Sequence, residues 1–230
     1  MRTKIAAIQS RRNPESIERE QYNISHTIGD LAEVTFLSAL DEGLPWKSPE
    51  EITCDFDGLI LGGSSDFDFH GSHEPHDDPR VMAHSILHRL ENVIKYARRR
   101  DMPVMGICFG HQLIGRTFGA QCTHDKAQSK FGTYEVHETT EGKKDALFKN
   151  LPETFGAQYA HKDSLTRLPD GAVLLAESDV CKFGALRYGK SMYTFQFHPE
   201  VIKFNDPYPH EPSPEASKII PLWIETLVRK

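Results

Sequence analysis

Short apolar runs, separated by polar and turn-rich stretches, set the framework of the chain. Lys4 to Gln9 (KIAAIQ), Ala32 to Leu37 (AEVTFL) and Phe56 to Leu61 (FDGLIL) are rich in apolar and β-branched residues, and the third ends in Gly62-Gly63. Runs of this length predict strands buried in a sheet. Asp78-Pro79 then offers an N-cap followed by proline at the first helical position. Beyond it Met82, Ile86, Leu90, Val93, Ile94 and Ala97 recur at helical spacing, up to Arg98-Arg99-Arg100. That basic end suits a helix C-terminus. Pro103 to Ile107 (PVMGI) predicts another buried strand, which runs through Cys108-Phe109-Gly110-His111-Gln112 into a helix with Leu113, Ile114 and Phe118 turned inward. Alternating strands and helices predict a parallel sheet covered by helices on both faces.

The second half has a different rhythm. Phe131 to Glu138, Ala172 to Ala176, Phe183 to Tyr188 and Met192 to Phe197 predict strands joined by turns, with Gly189-Lys190 at a hairpin. The expectation is an α/β fold: a doubly wound, mostly parallel central sheet with an antiparallel portion in the C-terminal half, in a single domain over 1–230. Ser213-Pro214 predicts a final helix start. Pro221 falls inside that pattern, so the helix is kinked or begins later than Ser213.

Composition narrows the classes. A chain of 230 residues with 38% hydrophobic and 26% charged side chains can bury its own core. A net charge of -6 argues against electrostatic binding to nucleic acid or to an anionic membrane. No apolar run approaches the ~20 residues of a membrane span, and the N-terminal stretch MRTKIAAIQSRR has no secretory pattern. Cys54, Cys108, Cys122 and Cys181 match no disulfide framework and no zinc spacing. A cytoplasmic protein with free thiols is expected.

One of those thiols has a distinctive setting. Gly106-Ile-Cys108-Phe-Gly110 has the form Gly-x-Cys-x-Gly between a predicted strand and a predicted helix. So tight a strand-to-helix turn strains its central residue, and flanking glycines remove side chains that would collide. The thiol then projects from the sheet at a helix N-terminus, where the dipole favours thiolate. The Phe109 N–H faces the reacting group and can stabilise an oxyanion. A buried structural cysteine between packing glycines is the competing reading, and it is the expected one for Cys54, Cys122 and Cys181. A cysteine nucleophile needs a base, and the base an orienting group. Phe195-Gln-Phe-His198-Pro-Glu200 supplies both: an apolar strand delivers His198, Pro199 ends it, and Glu200 curls back to the imidazole.

Together, Gly106-Ile-Cys-Phe-Gly-His-Gln112 and Phe195-Gln-Phe-His-Pro-Glu200 resemble the class I (triad) glutamine amidotransferases, and the similarity runs from about Lys4 to about Val201. The resemblance implies a flavodoxin-like fold and a catalytic triad of Cys108, His198 and Glu200. It also implies an oxyanion hole formed by the backbone N–H groups of Gly63, in the Gly62-Gly63 loop, and of Phe109, and a substrate contact at Gln112. Tyr159-Ala160-His161-Lys162-Asp163 is similar to the segment of GMP synthetase glutaminases whose backbone holds the α-amino acid end of glutamine. Two departures stand out: Ser64-Ser65 follows the glycines where many relatives have proline, and Gln158-Tyr159 replaces Trp-Met.

The implied reaction is hydrolysis of the γ-carboxamide of glutamine, or of a γ-glutamyl compound, with no metal, nucleotide or organic cofactor. No synthetase domain is expected within these 230 residues. Three readings of the whole follow: a glutaminase with its synthetase as a separate subunit, a self-sufficient γ-glutamyl hydrolase, or a catalytically silent binding protein of the same fold. Two polar inserts, 66–78 and 203–212, adjoin predicted site elements. The first carries His70, His73 and His76, but its Gly and Pro residues break any helix that would align the rings. A solvated loop at the site edge, not a metal centre, is expected there.

Overall fold

The computed structural model describes residues 2–204 and 207–229; residues 205 and 206 of the second insert lie outside them. In chain order the elements are β1 (Lys4–Gln9), α1 (Pro14–Ile28), β2 (Glu33–Ser38), α2 (Pro49–Thr53), β3 (Gly58–Leu61), α3 (Asp78–Arg99), β4 (Val104–Ile107) and α4 (Phe109–Thr117). The second half adds β5 (Cys122–His124), β6 (Lys130–Glu138), β7 (Thr154–His161), β8 (Asp163–Leu165), β9 (Ala172–Ser178), β10 (Cys181–Tyr188), β11 (Met192–Phe195) and α5 (Ile219–Trp223).

Nine strands form one sheet in the order β2-β1-β3-β4-β11-β10-β9-β6-β7, and β5 pairs with β8 in a small second sheet. The first five are mutually parallel, and every pairing from β11 outward is antiparallel. Strands β3 and β4 are buried along their whole length because helices cover both faces, which is why they appear in the sequence as unbroken apolar runs. On one face Ile24 and Ile28 of α1 join Trp223 and Ile220 of α5 in a core that includes Ile5, Met105 and Phe195. On the other, Ile86, Leu90, Val93 and Ile94 of α3 pack with Leu113 and Ile114 of α4 over Ile8, Leu59 and Val104.

The elements depart from expectation in instructive ways. The cap of α3 is Asp77, one residue before the predicted Asp78, and Ala83 is buried where Met82 is only half-buried. Phe118 is likewise half-buried, and the last strand ends at Phe195, not Phe197. The final helix begins as a 3₁₀ turn at Ala216–Lys218, so Pro221 lies in the first turn of α5, where a missing N–H costs nothing. Helix α1 was not anticipated, although Asn13 accepts from the Ser16 N–H at its start and Gly29 (φ 53) ends it. Its buried stripe is Ser16, Glu20, Ile24 and Ile28, and two polar members of four hide the periodicity. Strand β7 was also missed, because Gly156 and Gln158 interrupt its apolar positions.

The chain turns from β1 to β2 on one side and from β3 to β4 on the other, so a crevice opens at the carboxyl ends of β1 and β3, as in other doubly wound sheets. Every candidate catalytic residue follows the carboxyl end of a parallel strand. No helix among the described residues is long and apolar enough to cross a membrane.

Candidate active site

Cys108 follows β4 at φ 52 and ψ -101, a conformation that side chains other than glycine rarely adopt. Such a residue stores about 1–3 kcal/mol of strain, so its neighbours must hold it. The Cys108 N–H donates to Phe195 O on β11 at 2.7 Å, and the Gly110 N–H donates to Gly62 O after β3 at 3.1 Å. The flanking glycines are required by space: a Cβ at Gly106 would lie 2.9 Å from Gly110 O, and one at Gly110 would lie 2.1 Å from Leu61 O. The thiol comes within 3.8 Å of Ala160 O. Phe109 opens α4, so its N–H is one of the donors that a helix leaves without an internal partner.

His198 comes off the end of β11, and its N–H is fixed on Gln158 O at 2.8 Å. Its Nδ1 donates to Glu200 Oε1 at 2.7 Å, with both residues buried. The Glu200 backbone carbonyl accepts from the Thr27 hydroxyl of α1. Burial alone would lower the imidazole pKa, but the charge of Glu200, and then that of Cys108, outweighs it and pushes His198 up to about 10. His198 is therefore an imidazolium at neutral pH. Its Nε2 is buried with no hydrogen-bond acceptor among the described residues. The ring edge meets Phe204 of the second insert at a centroid distance of 5.3 Å.

Gly63 closes the third side. A Cβ there would lie 3.1 Å from His198 Cε1 and 3.6 Å from Cys108 Cβ, so its α-carbon faces both catalytic candidates. Its N–H does not: it donates to Glu20 Oε1 of α1 at 3.0 Å. Glu20 is buried, and it also accepts from Arg11 Nη2 at 2.9 Å and Gln9 Nε2 at 2.9 Å. A Cβ at Gly62 would lie 2.7 Å from Glu20 Oε1, so the carboxylate occupies the space that glycine leaves. Arg11 and Glu20 were not among the residues anticipated. The signal that could have found Glu20 is the Asn13-Pro14 cap with Gly29, which puts it on one stripe with Ile24 and Ile28.

The remaining candidates divide. Ala160 lies beside the thiol through its carbonyl. His161 is buried, which lowers its pKa to about 4, so the ring is neutral. Its Nδ1 donates to Asp163 O at 3.0 Å. Tyr159 is fully buried, and its ring packs against Tyr134 and Phe197 in the core. The Gln112 amide is engaged by the protein itself, donating to Asp163 O at 2.8 Å and Gln196 Oε1 at 3.2 Å. Gln158, which stands in place of tryptophan, donates to Ile202 O and Glu211 O and so ties β7 to the second insert.

The first insert is anchored to the same segment. The Asp163 carboxylate accepts from the His70 and Gly71 N–H groups at 2.6 and 2.7 Å, and Lys162 pairs with Asp68 at 3.1 Å. Its three histidines have separate surroundings: His70 stacks on His124, His73 lies between Asp68 and Asp77, and His76 is exposed. Among the described residues no three His, Cys, Asp or Glu side chains are placed to hold a metal ion.

Comparison with known proteins gives the family. Residues 42–209 match the family model for glutamine amidotransferase class-I. Over 184 residues the chain is 32% identical to the glutamine-hydrolyzing GMP synthase subunit of Archaeoglobus fulgidus, covering 79% of this chain and 84% of that one. It is 31% identical over 169 residues to the corresponding subunit from Methanothermobacter thermautotrophicus, with 72% and 78% covered. A Thermoplasma acidophilum structure, proposed to be a GMP synthase subunit, superimposes with a TM-score of 0.72 at 22% identity, over 100% of this chain and 96% of that one. A glutamine amidotransferase from Thermotoga maritima gives 0.62 at 20% identity, over 98% and 82%. These two likenesses establish the fold, a helix-flanked and largely parallel sheet. With the sequence matches added, the chain belongs to the class I glutamine amidotransferases, enzymes that hydrolyse the amide of glutamine.

Proposed function

We propose that the chain hydrolyses the γ-carboxamide of glutamine through Cys108, His198 and Glu200 and delivers the ammonia to a separate synthetase subunit. The observation that carries this reading is the left-handed Cys108 turn facing an imidazolium bonded to a buried carboxylate. The Cys108 thiolate attacks the γ-carbonyl carbon, and the carbonyl electron pair moves to oxygen, where the Phe109 N–H meets it. His198 Nε2 gives its proton to the departing nitrogen, the C–N bond breaks, and ammonia leaves a γ-glutamyl thioester. The now neutral His198 takes a proton from water, which attacks the thioester. Collapse expels the thiolate and releases glutamate. Glu200 holds the ring in place throughout and stabilises its charge whenever Nε2 carries the proton.

The names of the relatives support the partner, since each is one subunit of a GMP synthase. A second reading, a self-sufficient hydrolase of γ-glutamyl compounds, is favoured by the two inserts, which border the site at Asp163 and at His198. Release of ammonia and glutamate by the purified chain, on glutamine and on a panel of γ-glutamyl amides, decides between them. Rapid release from one γ-glutamyl compound by the chain alone would establish the second reading. Turnover of glutamine only after a synthetase is added would establish the first. No turnover in either case would sink both.

The charge on His198 gives a further expectation. Glu200→Gln removes the strongest influence that opposes burial, so the imidazole pKa falls and kcat falls about 10²- to 10⁴-fold. Stability follows the same group. The folded value, about 10, lies above the ordinary 6.5, so the contribution of His198 is complete below pH 6.5 and is lost as pH rises toward 10. Urea unfolding across that window should show the decline in the wild type and much less of it in Glu200→Gln.

A further inference from the structure

The oxyanion site holds a mismatch. The Gly63 N–H, which a strand-end glycine beside the nucleophile would be expected to offer to substrate, is bonded to Glu20 at 3.0 Å. That carboxylate is itself held by Arg11 and Gln9, and Gly62 has no side chain to displace it. Next to it lies a cation without enough acceptors. Arg11 is 9% exposed, its Nη1 donates to Ser65 Oγ at 3.3 Å, and one Nη2 hydrogen serves Glu20. Its Nε is buried with no partner among the described residues. The second Nη2 hydrogen remains available, because a guanidinium has five N–H donors.

The position of Nη2 is the informative part. It lies 3.2 Å from the point where a Gly63 side chain would begin, and His198 Cε1 and Cys108 Cβ lie 3.1 and 3.6 Å from that same point. The guanidinium, the imidazolium and the carbon bearing the thiol therefore surround one small space. A buried charged donor short of acceptors in that space is suited to a negative oxygen that exists only while the reaction runs. We infer that Arg11 is a catalytic residue of this enzyme: with the Phe109 N–H it stabilises the oxyanion, in place of the Gly63 N–H, and Glu20 is the positioning residue that fixes its fork.

This inference rests on Cys108 being the nucleophile, so its test keeps the two apart. Three variants are needed: Arg11→Ala, Arg11→Lys, and the double change Arg11→Ala with Glu20→Ala, which leaves no unpaired buried carboxylate. The probe of the oxyanion is 5-oxopentanoate. Its aldehyde carbon bonds to the Cys108 sulfur, and the carbonyl electron pair moves to the oxygen, which then carries the negative charge that the thiolate gives up. The control is iodoacetamide, whose reaction forms a C–S bond and expels iodide with no oxyanion.

Arg11→Ala and the double variant should each lower kcat on glutamine about 100-fold with KM within about threefold. They should weaken 5-oxopentanoate at least tenfold and leave the alkylation rate within about threefold. Methylguanidinium should restore part of kcat to Arg11→Ala, and Arg11→Lys should fall between alanine and wild type. Unchanged kcat and aldehyde affinity in the double variant would overturn the proposal and return the role to a rotated Gly63 peptide. A loss confined to KM would do so too, because it would make Arg11 a binder of the substrate carboxylate. So would a wild type whose Cys108 alkylates but does not bind the aldehyde. A wild type that binds the aldehyde yet leaves glutamine intact would count against the proposed hydrolysis alone, and the aldehyde-to-alkylation ratio would still decide Arg11.

Discussion

Alanine in place of Cys108 is expected to remove glutamine hydrolysis almost completely, by about 10⁶-fold, with the protein still folded. The other thiols offer no substitute: Cys54 is exposed, and Cys122 and Cys181 are buried thiols that burial pushes far toward the neutral form. Residual turnover would come only from binding and the oxyanion donors. The fold should survive because alanine keeps the Cβ and loses only the sulfur. It also keeps the strain at φ 52. Cys108→Gly should therefore be more stable than Cys108→Ala by about 1 kcal/mol, the reverse of the order inside a helix. Ammonia release and urea unfolding of the two variants check both parts. Hydrolysis that persists in Cys108→Ala would assign the reaction to another group.

Gly110→Ala is expected to cost about 3 kcal/mol or more and to abolish activity as well. In an ordinary helix the same change stabilises by about 1 kcal/mol. Here the new Cβ would stand 2.1 Å from the carbonyl oxygen of Leu61, a backbone atom in the centre of the sheet that no rotamer change can move. Overpacking of a core by a methyl group usually costs about 1–3 kcal/mol, and a rigid neighbour puts this case at or past the upper end. The shift needed to relieve it breaks the Gly110 N–H bond to Gly62 O and so displaces the Gly62-Gly63 loop from Cys108. Gly156→Ala is the control: its Cβ would meet only the Thr133 methyl at 3.4 Å, and it should be neutral within about 0.5 kcal/mol. Chemical denaturation of both variants separates a local clash from a general intolerance of alanine.

Much of the parallel half was legible in the chain. Strands β3 and β4, and β1 between Ile5 and Ile8, are covered on both faces, so burial selects apolar residues and leaves a continuous run. The three catalytic candidates were legible for a related reason. A strand that ends in Gly-x-Cys-x-Gly, or in His-Pro-Glu, announces a turn whose backbone demands are local. Helix α1 and strand β7 were hidden because polar residues occupy their buried faces: Ser16 and Glu20 in one, Gln158 in the other. Those residues are inside because a partner distant in sequence satisfies them. Glu20 meets Gly63 and Arg11, and Gln158 meets Ile202, Glu211 and Ser213.

The class of the fold, the family resemblance and the choice of Cys108, His198 and Glu200 needed nothing beyond the order of residues, since each depends on short-range patterns of apolarity, glycine and proline. Four features came only with the folded chain: which way the Gly63 N–H points, that the Gln112 amide is already engaged, that Tyr159 is a core residue, and that Arg11 stands beside Cys108. Hydrogen bonds have direction and need a partner in space. That partner comes from another strand or helix, 43 residues away in sequence for Gly63 and Glu20, and no pattern along the chain encodes where it will be.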